Sequence, residues 1–137
     1  MIKFSLHTFF LLCITVYLLS SCSQTEKKQL KVTATAYNSV AGQTHGHPAE
    51  AAWGDTLKPG IKAIAVSRDL IDSGLTRGTA VKIEGLSGTY IVMDKMNARW
   101  TNKIDIYMGN KVSKARNWGK REVTITWKQR PKSDSKK

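Results

Sequence analysis

Ile91-Val92-Met93-Asp94 and Lys103-Ile104-Asp105-Ile106-Tyr107 are the two segments of this sequence that decide its fold. Each is a short apolar run of strand-forming residues, which predicts a β-strand, and each carries one aspartate at or near its end. Two strands placed close together would bring both carboxylates to one place. Paired carboxylates are the usual groups for acid and base chemistry at a glycosidic bond. Asp94 and Asp105 are therefore the first candidate functional residues.

Six segments in all have the composition or the alternation of strands. We predict strands at Lys31–Tyr37, Ile61–Ser67, Thr79–Glu84, Thr89–Asp94, Lys103–Met108 and Arg121–Trp127. Short helices are predicted at 68–73, stopped by Gly74, and at 110–118, with Asn110 as N-cap and Gly119 as the stop. The segment 38–60 has no clear period, which indicates a long loop. Six short strands with one or two short helices favour an all-β fold, a compact β-barrel.

The first 21 residues have the pattern of an export signal. Lys3 supplies a positive start, and Phe9–Leu19 is a nearly unbroken apolar run that is short for a bilayer span. The run closes with Leu19-Ser20-Ser21-Cys22, the pattern of a bacterial lipoprotein signal in which the cysteine is lipidated and becomes the mature N-terminus. A plain secretory signal with an incidental Cys22, or an uncleaved membrane anchor, is the alternative. Ser23 carries no inner-membrane retention signal, so we expect an outer-membrane lipoprotein that faces the periplasm.

The charge of the mature chain points to a partner in the cell envelope. Removal of residues 1–21 takes away one cation and no anion, so 116 residues remain and the formal charge falls from +12 to +11. The domains expected are a lipidated cysteine and tether at 22–30, a barrel at 31–127 and a basic disordered tail at 128–137. The scattered cations fit an anionic membrane surface or cell-wall polymer. They lack the aromatic-interleaved stripe of a single-stranded nucleic-acid binder, and we expect a monomer that binds no nucleic acid.

A series of short motifs follows in order along the chain. They are Ala34-Thr35-Ala36-Tyr37, Ile64-Ala65-Val66, Gly78-Thr79, Ile83-Glu84-Gly85, Asp94, Ile104-Asp105, Ala115, Trp118-Gly119-Lys120-Arg121 and Val123. Together they resemble the Asp-Asp-Asp (3D) domain family, which is similar to the C-terminal domain of membrane-bound lytic transglycosylase A. That family belongs with the double-psi β-barrels, which include rare lipoprotein A and the expansins. Over residues 31–127 the resemblance implies a six-stranded double-psi β-barrel that acts on peptidoglycan.

The resemblance carries over residue by residue to two of the family's three aspartates. Its proposed acid/base aspartate falls on Asp105, and the aspartate that starts its Asp-Thr-Gly-Gly-Ala-Ile-Lys-Gly loop falls on Asp94. In this chain the loop at 94–101 loses both glycines, so its backbone cannot approach a ligand in the same way. Ser67 stands where the family's first aspartate is expected, and Asp69 or Asp72 is the candidate to replace it in space.

Other residues are candidates for contact with a ligand. Trp100, in a predicted loop, is placed to stack on a sugar face, with Arg99 beside it, and Tyr37 at a strand end either lines the cleft or joins the core. Trp53 is a second loop tryptophan, whereas Trp118 and Trp127 are assigned to the core.

We expect neither a metal nor a cofactor. His45 and His47 share a loop with Glu50 and Asp55, which is an alternative metal site, but the mature chain has no other histidine. Cys13 leaves with the signal and Cys22 carries the lipid, so no thiol remains for a disulfide or a metal. There is also no glycine-rich phosphate loop and no nucleotide fingerprint.

These features predict a peptidoglycan-acting lipoprotein that cleaves glycan strands as a lytic transglycosylase does. The sugar's own 6-hydroxyl is the nucleophile in that reaction, so Asp105 alone would serve first as acid and then as base. Asp94 is expected to raise the pKa of Asp105 through like-charge repulsion. A non-catalytic, expansin-like module that binds or remodels the wall is the alternative, and a structural lipoprotein is a third. On the residues alone, a purely structural role is favoured for both aspartates, which would cap turns or pair with Lys95, Arg99 or Lys103, and the spacing shared with the family reverses this preference.

Cys22→Ala should prevent lipidation and release the protein from the membrane fraction, because Leu19–Cys22 is the only lipidation pattern in the sequence. Membrane fractionation together with incorporation of a radiolabelled fatty acid measures both effects. A variant that stays in the membrane fraction and keeps its label would show that the signal has been misread.

Overall fold

A computed structural model describes residues 25–39 and 50–129 of the chain. The predicted signal peptide, Cys22, the pair His45 and His47, and the segment from residue 130 onward lie outside these described residues. No helix in the described part is long and apolar enough to cross a membrane. The elements are β1 (Glu26–Tyr37), β2 (Ala63–Val66), α1 (Arg68–Asp72), β3 (Ala80–Ile83), β4 (Tyr90–Lys95), β5 (Lys103–Tyr107), α2 (Val112–Trp118) and β6 (Arg121–Gln129).

The six strands close into a barrel in the order β1-β5-β2-β4-β3-β6. The pairs β1–β5 and β2–β4 are parallel, and the other four pairs are antiparallel. Closure removes the free edges that an open sheet of this size would expose. The predicted fold class, an all-β six-stranded double-psi barrel with two short helices, is confirmed.

The interior of the barrel is filled by alternate residues of every strand, as the period of two requires. Ile104 and Ile106 of β5 point inward and are fully buried, and they meet Ile64 and Val66 of β2. Trp127 of β6 also lies in this core, and Trp118 of α2 packs against it while half-buried, as the sequence predicts.

A second, smaller cluster lies on the outer surface of the barrel. Ala51 and Leu57 pack there against Ala63 of β2 and Tyr107 of β5, with Tyr37, Ile61 and Met93 partly buried around them. A bridge between Glu50 and Thr56 closes the segment into a short hairpin-like turn. The stretch 50–61, predicted as part of a loop, is therefore fixed to the outside of the barrel by apolar contact.

Strand β1 begins at Glu26, five residues before the predicted start at Lys31. Its register with β6 runs from Glu26 opposite Gln129 to Ala34 opposite Arg121. Residues assigned to the tether and to the start of the tail therefore join the sheet. The prediction failed here because these residues are mostly polar and show no alternation. Helix α2 also differs at its start, since its N-cap is Lys111, not Asn110, although Gly119 ends it as predicted.

The end of β2 is joined to the start of β5 by a group of hydrogen bonds. The Ser67 amide donates to the Lys103 carbonyl oxygen at 2.9 Å, and the Lys103 amide donates to Ser67 Oγ at 3.0 Å. The Asn102 amide donates to Asp69 Oδ2 at 2.8 Å. Asn102 adopts a φ of 46°, a left-handed conformation that asparagine tolerates better than most residues. Ser67 is fully buried, so its hydroxyl serves this joint and is closed to a ligand.

Ser67→Ala should lower the free energy of unfolding by about 1–3 kcal/mol, because the half-buried Lys103 amide loses the acceptor of its hydrogen bond. Ser73→Ala is the matched control, since the Ser73 hydroxyl is exposed and donates only to the Asp69 carbonyl oxygen. Urea denaturation of both variants measures the difference, and equal stability of the two would contradict the role given to Ser67.

Candidate functional site

Asp94 and Asp105 lie on one outer face of the barrel, as the sequence predicts. Both are in register with Ala65, because β2 runs between β4 and β5. Two strand spacings separate their Cα atoms by about 10 Å. Asp105 points outward because its neighbours Ile104 and Ile106 point inward. Ala65 has only a methyl side chain, so no larger side chain of β2 stands between the two carboxylates.

A β-bulge turns Asp94 toward this face. Ile64 pairs with Val92, but the next residue, Ala65, pairs with Asp94, so Met93 is the extra residue of the bulge. Without it, strict alternation after the buried Val92 would direct Asp94 into the apolar interior. Because of the bulge, the side chains of Met93 and Asp94 both lie on the outer surface of the barrel.

Asp105 is half-buried and hydrogen-bonded to the neighbouring strand. Thr35 is opposite Asp105 in the parallel β1–β5 pair, and its hydroxyl donates to Asp105 Oδ1 at 2.8 Å. Burial raises the pKa of Asp105 above its ordinary value, against the opposing effects of the Thr35 hydrogen bond and of Lys103. The charge of Asp94 also raises this pKa, as the sequence predicts, and it is the smallest of these contributions. Burial, which the sequence did not predict, has the larger effect.

Asp94 is a half-buried carboxylate that anchors the segment 50–57. Its Oδ1 accepts a hydrogen bond from the Ala52 amide at 2.7 Å and another from the Lys95 amide at 2.8 Å. The first bond crosses 42 positions of sequence and holds the hairpin-like turn against β4. Asp94 thus has a structural task that its position in the sequence does not reveal.

Tyr37 joins the two aspartates to the outer apolar cluster. Its ring packs on that of Tyr107 with 5.5 Å between the centroids. Its hydroxyl is buried and has no hydrogen-bond partner among the described residues. Burial raises the pKa of this phenol far above its ordinary range, and the charges of Asp94 and Asp105 add to the shift. Tyr37 is therefore a neutral donor beside both carboxylates, and it belongs to the cluster and to the site at once. We call the surface of Thr35, Tyr37, Asp94 and Asp105 the carboxylate face.

Two tryptophans flank the carboxylate face, each beside a cation. Trp100 is exposed to 38%, and Lys103 Nζ lies 3.7 Å from its ring centroid. Arg99 packs near the same ring, with Cζ at 5.0 Å from the ring centroid. Half-buried Trp53 has Lys95 Nζ at 5.9 Å. Cations in these positions are attracted by the ring faces.

The two candidates for the missing third aspartate lie away from the carboxylate face. Asp69 is committed to the joint between β2 and β5. Burial opposes ionisation of its carboxyl, but the hydrogen bonds from Ser67, Asn102 and nearby backbone amides outweigh it and lower its pKa. Asp72 lines a cavity that shares no residue with the carboxylate face. The site of this chain therefore has two aspartates.

Three residues of the site were not predicted from the sequence. Thr35 was recognised as part of a motif but given no role, and Lys95 and Lys103 were treated only as possible partners of the aspartates. The signal for Thr35 and Lys103 is their spacing, because each lies two positions from a predicted site residue in the same strand and so shares its face.

The sequence matches no protein-family model and no curated protein. Among solved structures, the chain is similar to the apo expansin of Clavibacter michiganensis, with 18% identity and a TM-score of 0.49. The match covers 76% of this chain and 52% of the expansin, about half of its length. It is also similar to the Streptomyces papain inhibitor, with 16% identity and a TM-score of 0.48, over 75% of this chain and 96% of the inhibitor. At this level of similarity, any statement about substrate or activity has to come from the residues of the site.

Asp105→Asn should stabilise the protein at pH 7 by about 0.5–2 kcal/mol, a size that is common when a functional carboxylate is replaced. The pKa of Asp105 is higher in the folded than in the unfolded chain, so the folded state binds more protons between those two values. The free energy of unfolding therefore falls as the pH rises through this window and stays lower above it. Asparagine does not ionise and still accepts the Thr35 hydrogen bond.

Thermal denaturation at pH 7 and at pH 3 tests this sign. The stabilisation of Asp105→Asn should be present at pH 7 and absent at pH 3, where the wild-type carboxyl is protonated in both states. Glu26→Gln, at an exposed position, controls for the change in net charge. If Asp105→Asn is destabilised at pH 7, or if its gain in stability equals that of Glu26→Gln, then ionisation of Asp105 does not lower the stability of the folded protein.

Proposed function

We propose that the protein binds a cell-wall polysaccharide, peptidoglycan above all, across the carboxylate face, as an expansin-like module that acts on the wall without cleaving it. The observation that carries this proposal is Asp105, a half-buried carboxyl on an outer barrel face with a raised pKa. By contrast, the pKa values of Asp55, Glu84 and Glu122 are lowered by their own hydrogen bonds and cations. A carboxyl group whose pKa is perturbed by burial on a protein surface is typical of a functional site.

The groups around Asp105 suit a polyhydroxylated ligand. The carboxylates of Asp94 and Asp105 accept hydrogen bonds from hydroxyl groups. The Tyr37 hydroxyl, a donor with no protein partner in the described part of the chain, is covered and would reach such a ligand after its side chain turns outward. Trp100 offers an exposed ring beside them, and an aromatic ring with a polar surround is the usual form of a recognition surface. Lys95, Arg99 and Lys103 add positive charge that favours the acidic groups of a wall polymer.

Binding without cleavage is favoured by the state of Asp94. A glycosidase of the two-carboxylate kind needs both groups free to act as acid and as base or nucleophile. Oδ1 of Asp94 is occupied by the amides of Ala52 and Lys95, which tie the side chain to the backbone. The missing third aspartate and the two lost loop glycines of the resemblance point the same way.

Cleavage by Asp105 alone is the second candidate, and the raised pKa of Asp105 favours it. A lytic transglycosylase uses the 6-hydroxyl of the sugar as nucleophile, so one carboxyl group is sufficient. Asp105 would first donate its proton to the leaving glycosidic oxygen and then accept the proton of the attacking hydroxyl. The proton balance closes, because the residue ends protonated and ready for the next cycle.

We also propose that a lipid on Cys22 holds the barrel at a bacterial membrane, with the outer membrane as the expected site. Only Ser23, Gln24 and Thr25 separate that cysteine from the first residue of β1. A tether of three residues spans at most about 10 Å, so the lipid would keep the barrel close to the membrane surface and restrict it to wall material nearby.

Trp100→Ala should weaken binding to insoluble peptidoglycan by roughly tenfold, the usual loss when an exposed aromatic contact is removed. Trp100→Phe is the matched control, because it keeps an aromatic face at the same position. Co-sedimentation of each variant with purified peptidoglycan measures the affinity. Wild-type protein that fails to sediment with peptidoglycan, or two variants that bind as wild type does, would overturn the proposal.

The same material separates binding from cleavage. Mass spectrometry of wild-type digests across about pH 4 to 8 should show no anhydro-muropeptides if the protein only binds. If they appear, Asp105→Asn should reduce them by roughly two to four orders of magnitude while binding survives. That result would show that the protein is a lytic transglycosylase and not a module that only binds. Undiminished cleavage by Asp105→Asn would exclude Asp105 as the general acid.

A further inference from the structure

A second concave site lies on the barrel away from the carboxylate face. A cavity of about 820 Å³ opens between the last residues of β6, strand β3 and the turn after α1, and we call it the end cavity. Its volume is in the range of small-molecule sites. The cavity is lined by Trp127 and Gln129 of β6, Ile71 of α1, Gly74 after α1, and Ala80 of β3. None of these residues belongs to the carboxylate face.

Two buried polar atoms in the lining of the end cavity have no partner. Trp127 Nε1 is a donor and Gln129 Oε1 is an acceptor, and neither makes a hydrogen bond within the described residues. Trp127 is only 4% exposed, so bulk water does not satisfy its N–H group. A buried polar group without a partner costs about 1–3 kcal/mol. Both atoms are covered in the structure, so a ligand in the end cavity reaches them only after the two side chains turn toward it. A donor and an acceptor without partners on the same strand, two residues apart and so on the same side, suit a ligand that offers both complements.

Gly74 makes room for the acceptor of this pair. A Cβ atom at position 74 would lie 3.1 Å from Gln129 Nε2 and 3.2 Å from Gln129 Cδ, closer than ordinary packing allows. Gly74 also has a φ of 98°, which a side chain would strain. The absence of a side chain there lets the Gln129 amide lie against the α1 turn and line the cavity.

The rim of the end cavity is positively charged. Lys27, Lys82 and Lys128 line it against a single acid, Asp72. Within residues 25–39 and 50–129 none of these three lysines forms a salt bridge. Their charges are therefore available to a ligand, and the local field favours an anion.

We propose that the end cavity binds a ligand that carries a secondary amide and a carboxylate, the chemistry of a short acidic peptide. Trp127 Nε1 donates to the amide carbonyl oxygen, and Gln129 Oε1 accepts from the amide N–H group. The apolar walls at Ile71 and Ala80 take a small side chain, and the rim lysines hold the carboxylate. This site works independently of the polysaccharide proposed for the carboxylate face, because the two share no residue.

Nuclear magnetic resonance on the full chain labelled with nitrogen-15 tests the proposal directly. The probe is the N-acetylated tripeptide Ala-Glu-Ala. The indole N–H signal of Trp127 should shift with peptide concentration and saturate, because its donor gains an acceptor. The indole signal of Trp118 is the internal control, since that N–H is also buried without a partner but does not line the cavity. No shift of the Trp127 signal up to about 10 mM peptide, a limit that corresponds to binding too weak to matter, would overturn the proposal.

Two variants and a second peptide test the individual contacts. Gln129→Leu removes the acceptor at the margin of the core, and Trp127→Phe removes the donor but keeps an aromatic ring; each should weaken peptide binding roughly tenfold. Trp118→Phe should leave it unchanged. The tripeptide Ala-Gln-Ala with an amidated C-terminus should bind more weakly and lose its dependence on salt, because it has no carboxylate for the rim lysines. Unchanged affinity in both cavity variants, or equal affinity for the two peptides, would refute the assignment.

Discussion

Strand β2 hydrogen-bonds to β4 on one side and to β5 on the other, and the positions of both aspartates of the carboxylate face depend on this double pairing. Ala65 is the shared reference point, because Asp94 and Asp105 are each in register with it. One added residue at Met93 reverses the direction of Asp94 relative to simple alternation. Parallel pairing on one side and antiparallel pairing on the other therefore bring together two side chains from strands that do not pair with each other.

On the carboxylate face, the ionisation of Asp105 depends more on how deeply the carboxyl group is buried than on how many cations the chain carries. The chain is strongly basic, with 22 lysines and arginines against 10 acids, yet Asp105 is held in a form that resists ionisation. Its burial outweighs both the Thr35 hydrogen bond and the Lys103 charge. Asp94 lies on the same face but is stabilised by two backbone amides. Two similar carboxyl groups thus differ in their environment, which is how proteins assign different tasks to identical side chains.

The strands and the pair of aspartates could be predicted because their signals are local. Alternation in β3 and apolar runs in β4 and β5 are visible in sequence, and the turn glycines bound them. The start of β1 could not be predicted, because Lys27, Lys28 and Gln29 become a strand only through pairing with β6. The bulge at Met93 depends on the register of a strand some thirty positions earlier, so it has no local signal either.

The roles of single residues were harder to predict than their positions. Ser67 was read as a lost aspartate, and the structure uses it as a buried acceptor for a backbone amide. The contribution of burial to the raised pKa of Asp105 was also not predicted, because a sequence shows which charges are present but not how deeply each is buried. The unpaired Trp127 and Gln129 atoms are invisible for the same reason, since satisfaction of a polar group is a property of the folded surroundings.

The long ladder between β1 and β6 has a mechanical consequence. Glu26 and Gln129 are opposite each other at one end of an antiparallel pair, so the chain enters and leaves the described barrel at neighbouring points. A force that separates these two ends loads the ladder as a zipper, and its hydrogen bonds break a pair at a time from Glu26 toward Ala34. Two paired strands that are pulled lengthwise in opposite directions resist with many bonds at once, but this pair, pulled apart at one end, yields at low force. Tension between a fixed N-terminal end and anything attached beyond Gln129 would open β6 before it disturbed the strands that carry the two aspartates.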